Sequence, residues 1–344
     1  MVEGSSGPRA PLRVGKLPAG LLADLLADLP VPPPEVLLGP RIGEDACAIE
    51  VPGAVLVAAT DPITFTAREI GRFSVIVNAN DVAVMGVRPR WFLAVILLPS
   101  GSTEAMVRDV FASMRDGLAH VGASLVGGHT EVTPAVTQPL VVGQFLGIAE
   151  EGRFVTTGGM RPRDVLLQVG PAPIEGAAVL AREAADRLTG LDRGDLDKAL
   201  VALDRPGISV VEPALLAAEL GASAMHDPTE GGLAAGLNEM AEASGVRVRV
   251  DLSSVLWFSP GRSICDALAA DPMATLASGT LLTAFPPDRA GPAMRALARH
   301  GYAASDIGRA GEGSGVFDAD GRPLTWPERD EVVRLLSGET DAHG

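Results

Sequence analysis

The chain has 344 residues, and its 28 Lys and Arg against 43 Asp and Glu give a net charge of −15. A surface this acidic repels phosphate backbones and anionic lipids, so neither nucleic acid nor a membrane surface is expected as its main partner. Aromatic residues make up only 4% of the chain and its two cysteines, Cys47 and Cys265, lie far apart, which excludes a base-stacking platform, a disulfide scaffold and a zinc ribbon.

The first half of the chain alternates between predicted helices and strands. Its N-terminal residues lack the apolar run of a signal peptide, and no stretch reaches the roughly 18 apolar residues of a membrane span, so a cytoplasmic protein is expected. Hydrophobic periodicity predicts helices over 19–29, 69–85 and 103–121, and strands over 54–60, 90–98, 123–126 and 140–149. The prolines that begin at Pro30 end the first helix.

The second half has the same alternation. A segment rich in Gly, Thr, Arg and Pro near 150–162 marks a predicted domain boundary. Beyond it the sequence predicts strands over 164–169 and 246–250, helices over 175–187, 193–203 and 209–220, and a loop over 226–232 that leads into a helix through residue 244. Strands and helices that alternate in both halves predict an α/β or α+β protein with layered sheets.

Five short segments place acidic or small polar residues beside glycine or at the predicted end of a strand or start of a helix. They are Gly43-Glu44-Asp45, Thr60-Asp61-Pro62, Asn78-Ala79-Asn80-Asp81, Gly127-Gly128-His129-Thr130-Glu131 and His226-Asp227-Pro228-Thr229-Glu230-Gly231-Gly232. Taken singly, most of them could be ordinary turns or helix caps. Asp81 differs, because a charge within an apolar helix is costly unless it is paired or bound to a cation.

Taken together, these segments predict a site for a nucleotide triphosphate. Carboxylates that converge on one pocket repel each other unless a cation screens them, and hard oxygen ligands indicate Mg²⁺ rather than zinc. Glycine pairs let backbone N–H groups approach phosphate oxygens. The chain has neither the GxxxxGK[ST] motif of a P-loop nor the HRD and DFG motifs of a protein kinase. Lys16 is one of only two lysines, and it is interpreted as a phosphate contact or, equally, as an ordinary surface lysine.

The five segments, in this order, resemble the AIR synthase superfamily, and the resemblance runs from about Gly15 to about Arg309. The matching motifs are Gly43-Glu44-Asp45-Ala46, Thr60-Asp61-Pro62, the helix from Asn78 to Gly86, Gly127-Gly128-His129-Thr130, and the turn from Asp227 to Leu233. The run HDPTEGGLAAGLNEMAEASG and Ile174-Glu175-Gly176 are most similar to the HypE-like branch of the superfamily. Two positions depart from the pattern: Glu44 replaces an aspartate, and His129 takes the place of an acid, so either His129 or Glu131 could enter the pocket.

The resemblance implies a two-domain fold in which the N-terminal domains of two subunits pair into a shared β-barrel. It places an N-terminal arm and helix at 1–36, an ATP-binding and dimerisation domain at 37–152, a C-terminal α/β domain at 153–336 and a flexible tail at 337–344. It also implies a homodimer with ATP and Mg²⁺ as cofactors.

The resemblance further assigns roles to individual residues of this sequence. The implied Mg²⁺ ligands are Glu44, Asp45, Asp61, Asp81 and Asp227. The implied nucleotide contacts are Lys16, Asn78, Asp81, Gly127, Gly128, His129, Thr130, Glu131 and Thr229. Lys16, Asp45 and Asp81 are the implied catalytic residues.

Three functions are compatible with these features. The first is an ATP- and Mg²⁺-dependent enzyme that activates an oxygen of a small-molecule or protein acceptor by phosphoryl transfer. The second is a small-molecule kinase similar to thiamine-monophosphate kinase, and the third is a nucleotide-binding maturation or regulatory protein without turnover. Retention of carboxylates at nearly every acidic position of the pattern favours catalysis over binding alone.

The sequence also predicts that the tail takes no part in any reaction. HypE-like chemistry uses a C-terminal cysteine, whereas the last cysteine here is Cys265 and the tail carries Glu339 and Asp341, which a pocket lined by carboxylates would repel. Removal of residues 337–344 is therefore expected to leave ATP binding and turnover unchanged, as measured by calorimetry and steady-state kinetics. A truncated protein that stays folded and dimeric yet loses turnover would show that the tail belongs to the mechanism.

Overall fold

The computed structural model describes residues 15–63 and 69–337. The first half forms a six-stranded sheet in the order β1-β2-β3-β6-β4-β5, in which only β4 and β5 pair in parallel. The strands are β1 (Val36–Leu38), β2 (Cys47–Val51), β3 (Ala54–Ile63), β4 (Trp91–Leu98), β5 (Ser124–Val132) and β6 (Leu140–Ala149). The helices of this half are α1 (Ala19–Ala27), α2 (Ile70–Ala83) and α3 (Glu104–Val121).

One face of this sheet packs against α2, and α3 covers α2 from the outside. Every residue of α2 except Arg72 is buried, which explains why its sequence is apolar on all sides rather than amphipathic. The helix α3 begins where Thr103 accepts a hydrogen bond from Met106 N and ends at Gly122 in the left-handed conformation, as the predicted cap and stop require.

The other face of the first sheet is apolar and only partly covered in a single chain. It presents residues such as Trp91 and Val95 of β4, which are 37% and 38% exposed. The edge strand β5 is exposed along its whole length. We call this surface the open face; the sheet does not close into a barrel within one chain.

The second half forms another six-stranded sheet in the order β12-β9-β11-β7-β10-β8, antiparallel except between β9 and β12. Its strands are β7 (Val165–Val169), β8 (Ala224–His226), β9 (Arg247–Val250), β10 (Leu281–Phe285), β11 (Ala304–Gly311) and β12 (Gly315–Asp318). Its helices are α4 (Glu175–Glu183), α5 (Arg193–Leu200), α6 (Val211–Glu219), α7 (Gly232–Ser244), α8 (Ser259–Leu268), α9 (Pro287–Arg299) and α10 (Glu331–Leu336). The central strands β7 and β10 are buried on both faces, so they read as continuous apolar runs.

The predicted class, α/β with two layered halves, is confirmed, and most predicted elements lie within a few residues of those observed. Two predicted strand ends are too early. β5 continues through Gly127–Gly128, which alone could be a turn, to Val132, and β3 continues through Asp61-Pro62 to Ile63. Residues 338–344 of the predicted tail and residues 1–14 of the predicted arm lie outside the described residues. In the part of the chain that the structure describes, no helix combines the length and apolarity needed to cross a membrane.

Candidate functional site

A cleft of about 1000 Å³ lies between the two halves of the chain. The first half lines it with the loop from Gly43 to Asp45, with Thr60 and Asp61 of β3, and with Asp81 of α2. The second half contributes the turn from Thr229 to Gly231, the α7 residues Ala235 and Glu239, and the segment from Trp326 to Asp330. The segment from Gly15 to Leu22, which includes Lys16, forms a further wall.

Three of the predicted aspartates, Asp45, Asp61 and Asp81, line this cleft, and the charge of a fourth, the buried Asp227, acts on Asp81. Burial raises the pKa of Asp81 well above its usual range, and the charges of Asp227, Asp61 and Asp45 raise it further. Burial likewise raises the pKa of Asp61 to about 6, although Lys16 opposes the shift. Asp227 is 2% exposed, and its pKa is raised well above the usual range by burial and by Asp45. The folded chain therefore holds these groups at a cost that a bound cation would relieve.

Asp227 supplies the most specific indication of a cation site. Neither of its carboxylate oxygens has a hydrogen-bond partner on another residue among those that the structure describes. Buried polar atoms are nearly always satisfied, so an orphaned carboxylate beside three others fits a cation site. Among the described residues, no three acidic, imidazole or thiol side chains lie close enough to hold an ion by themselves. Carboxylate oxygens are nevertheless the ligands that Mg²⁺ takes, together with waters and phosphate oxygens, so these aspartates fit Mg²⁺ only in company with such further ligands.

Glu44, predicted as a metal ligand, lines the cleft, but its carboxylate is engaged by backbone donors of the second half. Its two carboxylate oxygens accept hydrogen bonds from the backbone N–H groups of Thr157, at 3.2 Å, and Gly158, at 3.3 Å. Burial raises the pKa of Glu44, and these two donors partly offset the shift. The side chain joins the two halves of the chain, and we leave it out of the ligand set proposed below.

Asn78, predicted as a nucleotide contact, is fully buried and does not line the cleft. Its amide oxygen accepts from Asp61 N at 2.7 Å, and its amide nitrogen donates to Asp61 O at 3.1 Å and to Ser74 O at 2.9 Å. Asn78 therefore holds the backbone of Asp61 against α2, which positions a predicted metal ligand. Its neighbour Asn80 makes equivalent bonds to Ile208 O and Val210 N of the second half.

Lys16 lies at the cleft, as predicted, among several carboxylates. Its backbone N–H donates to Glu230 Oε1 at 3.0 Å, and its Nζ lies 3.8 Å from Glu239 Oε1. Burial alone would lower the pKa of Lys16, but Glu239, Asp45 and other carboxylates outweigh this and raise it. The ammonium group therefore stays charged beside the cleft. Thr229 lines the cleft too, and its carbonyl oxygen accepts from Gly232 N and Ala277 N.

His226 and Glu239 belong to the site although the sequence analysis gave them no role. His226 is 3% exposed; its Nδ1 lies 2.7 Å from Asp45 Oδ2 and its Nε2 lies 2.7 Å from Glu239 Oε2. Burial would lower the pKa of His226, but Asp45 and Glu239 raise it well above its usual range. Burial would raise the pKa of Glu239, yet His226 and Lys16 lower it to about 2. The available signal was the placement of His226 directly before Asp227.

The turn that begins at Thr229 is fixed by a distant residue. Gly231 N donates to Asp330 Oδ2 at 2.7 Å, while Asp330 Oδ1 accepts from Val332 N at 2.7 Å and so caps α10. Asp330 is 2% exposed, and burial raises its pKa to about 7 despite these two donors. The sequence analysis did not find Asp330, because nothing in its local sequence connects it to the turn.

The predicted glycine segment on β5 does not reach the cleft within one chain. Gly127, Gly128, His129 and Thr130 line a separate depression of about 210 Å³ beside α3. His129 and Glu131 are both exposed, and His129 Nε2 lies 3.3 Å from Glu131 Oε2. Neither side chain therefore enters the carboxylate cleft of its own chain.

Comparisons with known proteins match both halves of the chain to one family. Residues 43–149 match the N-terminal domain of AIR synthase related protein, and residues 161–319 match its C-terminal domain. Carbamoyl dehydratase HypE of Rhodobacter capsulatus is 30% identical over 272 residues, which cover 76% of this chain and 77% of that protein. Selenide, water dikinase of Nitratidesulfovibrio vulgaris (strain DP4) is 32% identical over 261 residues, covering 73% and 71%.

A solved structure supports the fold. The crystal structure of hydrogenase maturation protein HypE in complex with ATP has a TM-score of 0.69 at 24% identity, and the match covers 96% of this chain and 98% of that one.

Proposed function

The chain belongs to the AIR synthase-related family, and on this premise we propose that it is an ATP- and Mg²⁺-dependent enzyme that activates an oxygen of an acceptor by phosphoryl transfer. Two relatives that are 30% and 32% identical over about three quarters of the chain are named as a dehydratase and a dikinase, and a protein of the same fold has been crystallised with ATP. The acceptor is a small molecule or a group on a partner protein.

The observation that carries this proposal is the buried Asp227, whose two carboxylate oxygens have no partner on another described residue and whose charge acts on Asp81 together with those of Asp45 and Asp61. We propose that these four aspartates hold Mg²⁺, directly or through water. Bound Mg²⁺ would neutralise charge on the phosphate oxygens during transfer. Lys16 adds a positive charge at the cleft, and its position favours contact with a phosphate.

The remaining work of the site is positioning rather than covalent catalysis. Among the described residues that line the cleft there is no cysteine, serine or histidine. Phosphoryl transfer requires little covalent chemistry from the protein, since orientation and charge neutralisation supply most of the acceleration. An acidic cleft between two rigid halves is suited to that task.

The test is ATP turnover with Mg²⁺ against a panel of acceptors, followed by phosphorus NMR. ADP with free phosphate and an altered acceptor supports the activating reaction. ADP with a phosphorylated acceptor supports the kinase alternative. Tight ATP binding without turnover on any acceptor would overturn the enzyme proposal in favour of a binding protein.

We also propose that the chain is a homodimer assembled through the open face. An apolar sheet face with Trp91 and Val95 about 40% exposed, beside an exposed edge strand, is unusual for a monomer. Sedimentation at micromolar concentration is expected to give the mass of two chains rather than the 35.4 kDa of one. Val95→Lys should shift the protein towards one chain, whereas Val201→Lys, at an exposed valine outside the open face, should not. A parent protein with the mass of one chain would contradict the proposal.

The predicted nucleotide roles of Gly127, Gly128, His129, Thr130 and Glu131 stay predictions. These residues lie on the exposed edge strand and outside the cleft of their own chain. A second copy of the chain is therefore needed to bring them to a nucleotide, and the dimer proposal and these roles stand together.

A further inference from the structure

His226 joins the two halves of the chain at the cleft. Asp45 lies in the first half, whereas His226 ends β8 and Glu239 lies on α7, both in the second half. The imidazole makes one bond of 2.7 Å across the boundary, through Nδ1 to Asp45, and one of 2.7 Å within the second half, through Nε2 to Glu239. Both bonds involve a carboxylate and are short, as expected for charge-assisted hydrogen bonds.

The imidazole ring of His226 packs against α7 at a position where only a glycine leaves enough space. A Cβ added at Gly236 would lie 3.1 Å from His226 Cδ2 and 2.8 Å from Pro228 Cβ. Both distances are shorter than ordinary van der Waals contact, so a side chain at Gly236 would push the ring away from the helix. The packing at Gly236 and the two hydrogen bonds together fix the plane and position of the imidazole.

The loop that carries Asp45 makes two other contacts with the second half. A Cβ added at Gly43 would lie 3.1 Å from Glu239 Cβ, so the loop backbone packs directly on α7. Glu44 accepts the hydrogen bonds from Thr157 N and Gly158 N described above. These three contacts form a boundary, here called the seam, that joins the two walls of the cleft at the loop of Asp45.

We propose that His226 is a positioning residue whose Nδ1 bond to Asp45 holds the seam closed and fixes Asp45 for the proposed cation. Among the described residues, Asp45 makes no other hydrogen bond to a side chain, so the imidazole orients its carboxylate. The bond to Glu239 orients the ring but does not cross the seam. The effect on Mg²⁺-ATP rests on the proposed function, whereas closure of the seam does not.

Two amide substitutions separate the two bonds of the ring. In His226→Asn the side-chain amide nitrogen takes the place of Nδ1 and keeps a donor towards Asp45. In His226→Gln the amide nitrogen takes the place of Nε2 and keeps a donor towards Glu239. The variants are alike in polarity and differ in which partner they retain.

Hydrogen exchange of the protein without nucleotide or metal is the first measurement. His226→Gln is expected to speed exchange at Thr157 N and Gly158 N by about tenfold, since loss of a hydrogen bond to a charged group opens the seam. In His226→Asn, the exchange rates at these two N–H groups are expected to stay within about threefold of those in the parent protein. Equal exchange in the two variants, or faster exchange in His226→Asn, would overturn the proposal and leave His226 with a packing role. If either variant fails to fold, Asp45→Ala, which removes the oxygen that faces His226 Nδ1, is expected to give the same opening, and unchanged exchange in it would overturn the proposal as well.

The second measurement is Mg²⁺-ATP affinity by calorimetry. His226→Gln is expected to weaken it by about tenfold, and His226→Asn to preserve most of it. If the seam opens in His226→Gln but affinity does not change, the positioning of Asp45 for the cation is wrong although the closure of the seam holds. If the parent protein does not bind Mg²⁺-ATP, the proposed function is wrong. The exchange result still tests whether His226 holds the seam closed.

Discussion

Asp81→Asn is expected to weaken binding of Mg²⁺-ATP by at least about tenfold, or ~1.4 kcal/mol, while the protein stays folded. Asp81 is 6% exposed and lies among three other aspartates, so its ionised form is tolerated only when a cation neutralises the cluster. Asparagine keeps the volume and one carbonyl oxygen but removes the charge. Calorimetric titration of nucleotide with and without Mg²⁺ measures the change.

The same substitution is expected to raise the melting temperature of the protein without metal. Because the pKa of Asp81 is raised above 3.8, the folded chain binds more protons than the unfolded chain. Stability is therefore lost as pH rises from about 4 through the folded-state pKa, and Asp81→Asn should lose less over that range. Thermal unfolding at pH 5 and pH 8 in a chelator checks this.

A control distinguishes loss of the site from loss of one negative charge. Asp116→Asn removes a carboxylate that is 68% exposed on α3, far from the cleft, and should change neither affinity nor melting temperature appreciably. An Asp81→Asn protein with full Mg²⁺-dependent affinity for ATP would contradict the assignment of Asp81 to the cation site.

Gly143→Ala is expected to destabilise the protein by about 1–3 kcal/mol and also to weaken nucleotide binding. An added Cβ on this β6 residue would lie 2.8 Å from Asn78 Cγ and 2.9 Å from the ring of Phe92, both fully buried. Asn78 must then move, and with it the two hydrogen bonds that hold the backbone of Asp61. A substitution in the core of the sheet would thus displace Asp61 in the cleft through the side-chain amide of Asn78.

Gly311→Ala on β11 is the matched control, because an added Cβ there meets no atom within 4 Å. It should change the free energy of unfolding by less than about 0.5 kcal/mol in urea titrations. If Gly143→Ala behaves like Gly311→Ala, the close packing between β6 and Asn78 is not what places Asp61.

The sequence predicted the fold well where local patterns and tertiary packing agree. The cap at Thr103, the stop at Gly122 and the apolar runs of β4 and β7 each follow from short-range chemistry. The prediction failed at Gly127–Gly128, because a glycine pair is typical of a turn, and only the pairing with β4 keeps it extended.

The acidic residues of the candidate site could be predicted from the sequence, but the residues that position them could not. Asp81 was conspicuous because a charge within an apolar helix demands a partner. Asn78 belongs to the same motif. Whether its side-chain amide contacts a ligand or the backbone depends on the position of β3, which the sequence pattern of the helix cannot show. Glu44 accepts hydrogen bonds from backbone N–H groups 113 and 114 residues away, and His226 is hydrogen-bonded to Asp45, which is 181 residues away. Partners at such separations are set by the packing of the two halves rather than by local sequence.

The bond between Gly231 and Asp330 has a consequence for the order in which the protein is made. The two residues are separated by 99 positions, so the ribosome releases the turn long before the carboxylate that fixes it. Domains generally fold as they emerge, beginning at the N-terminus. The first half, with Asp45, Asp61 and Asp81, can therefore be in place while the turn that follows Asp227 is still unrestrained. Newly made protein completes its cleft only when the segment before α10 has emerged and docked, so the turn is fixed about 100 residues of synthesis after it is made.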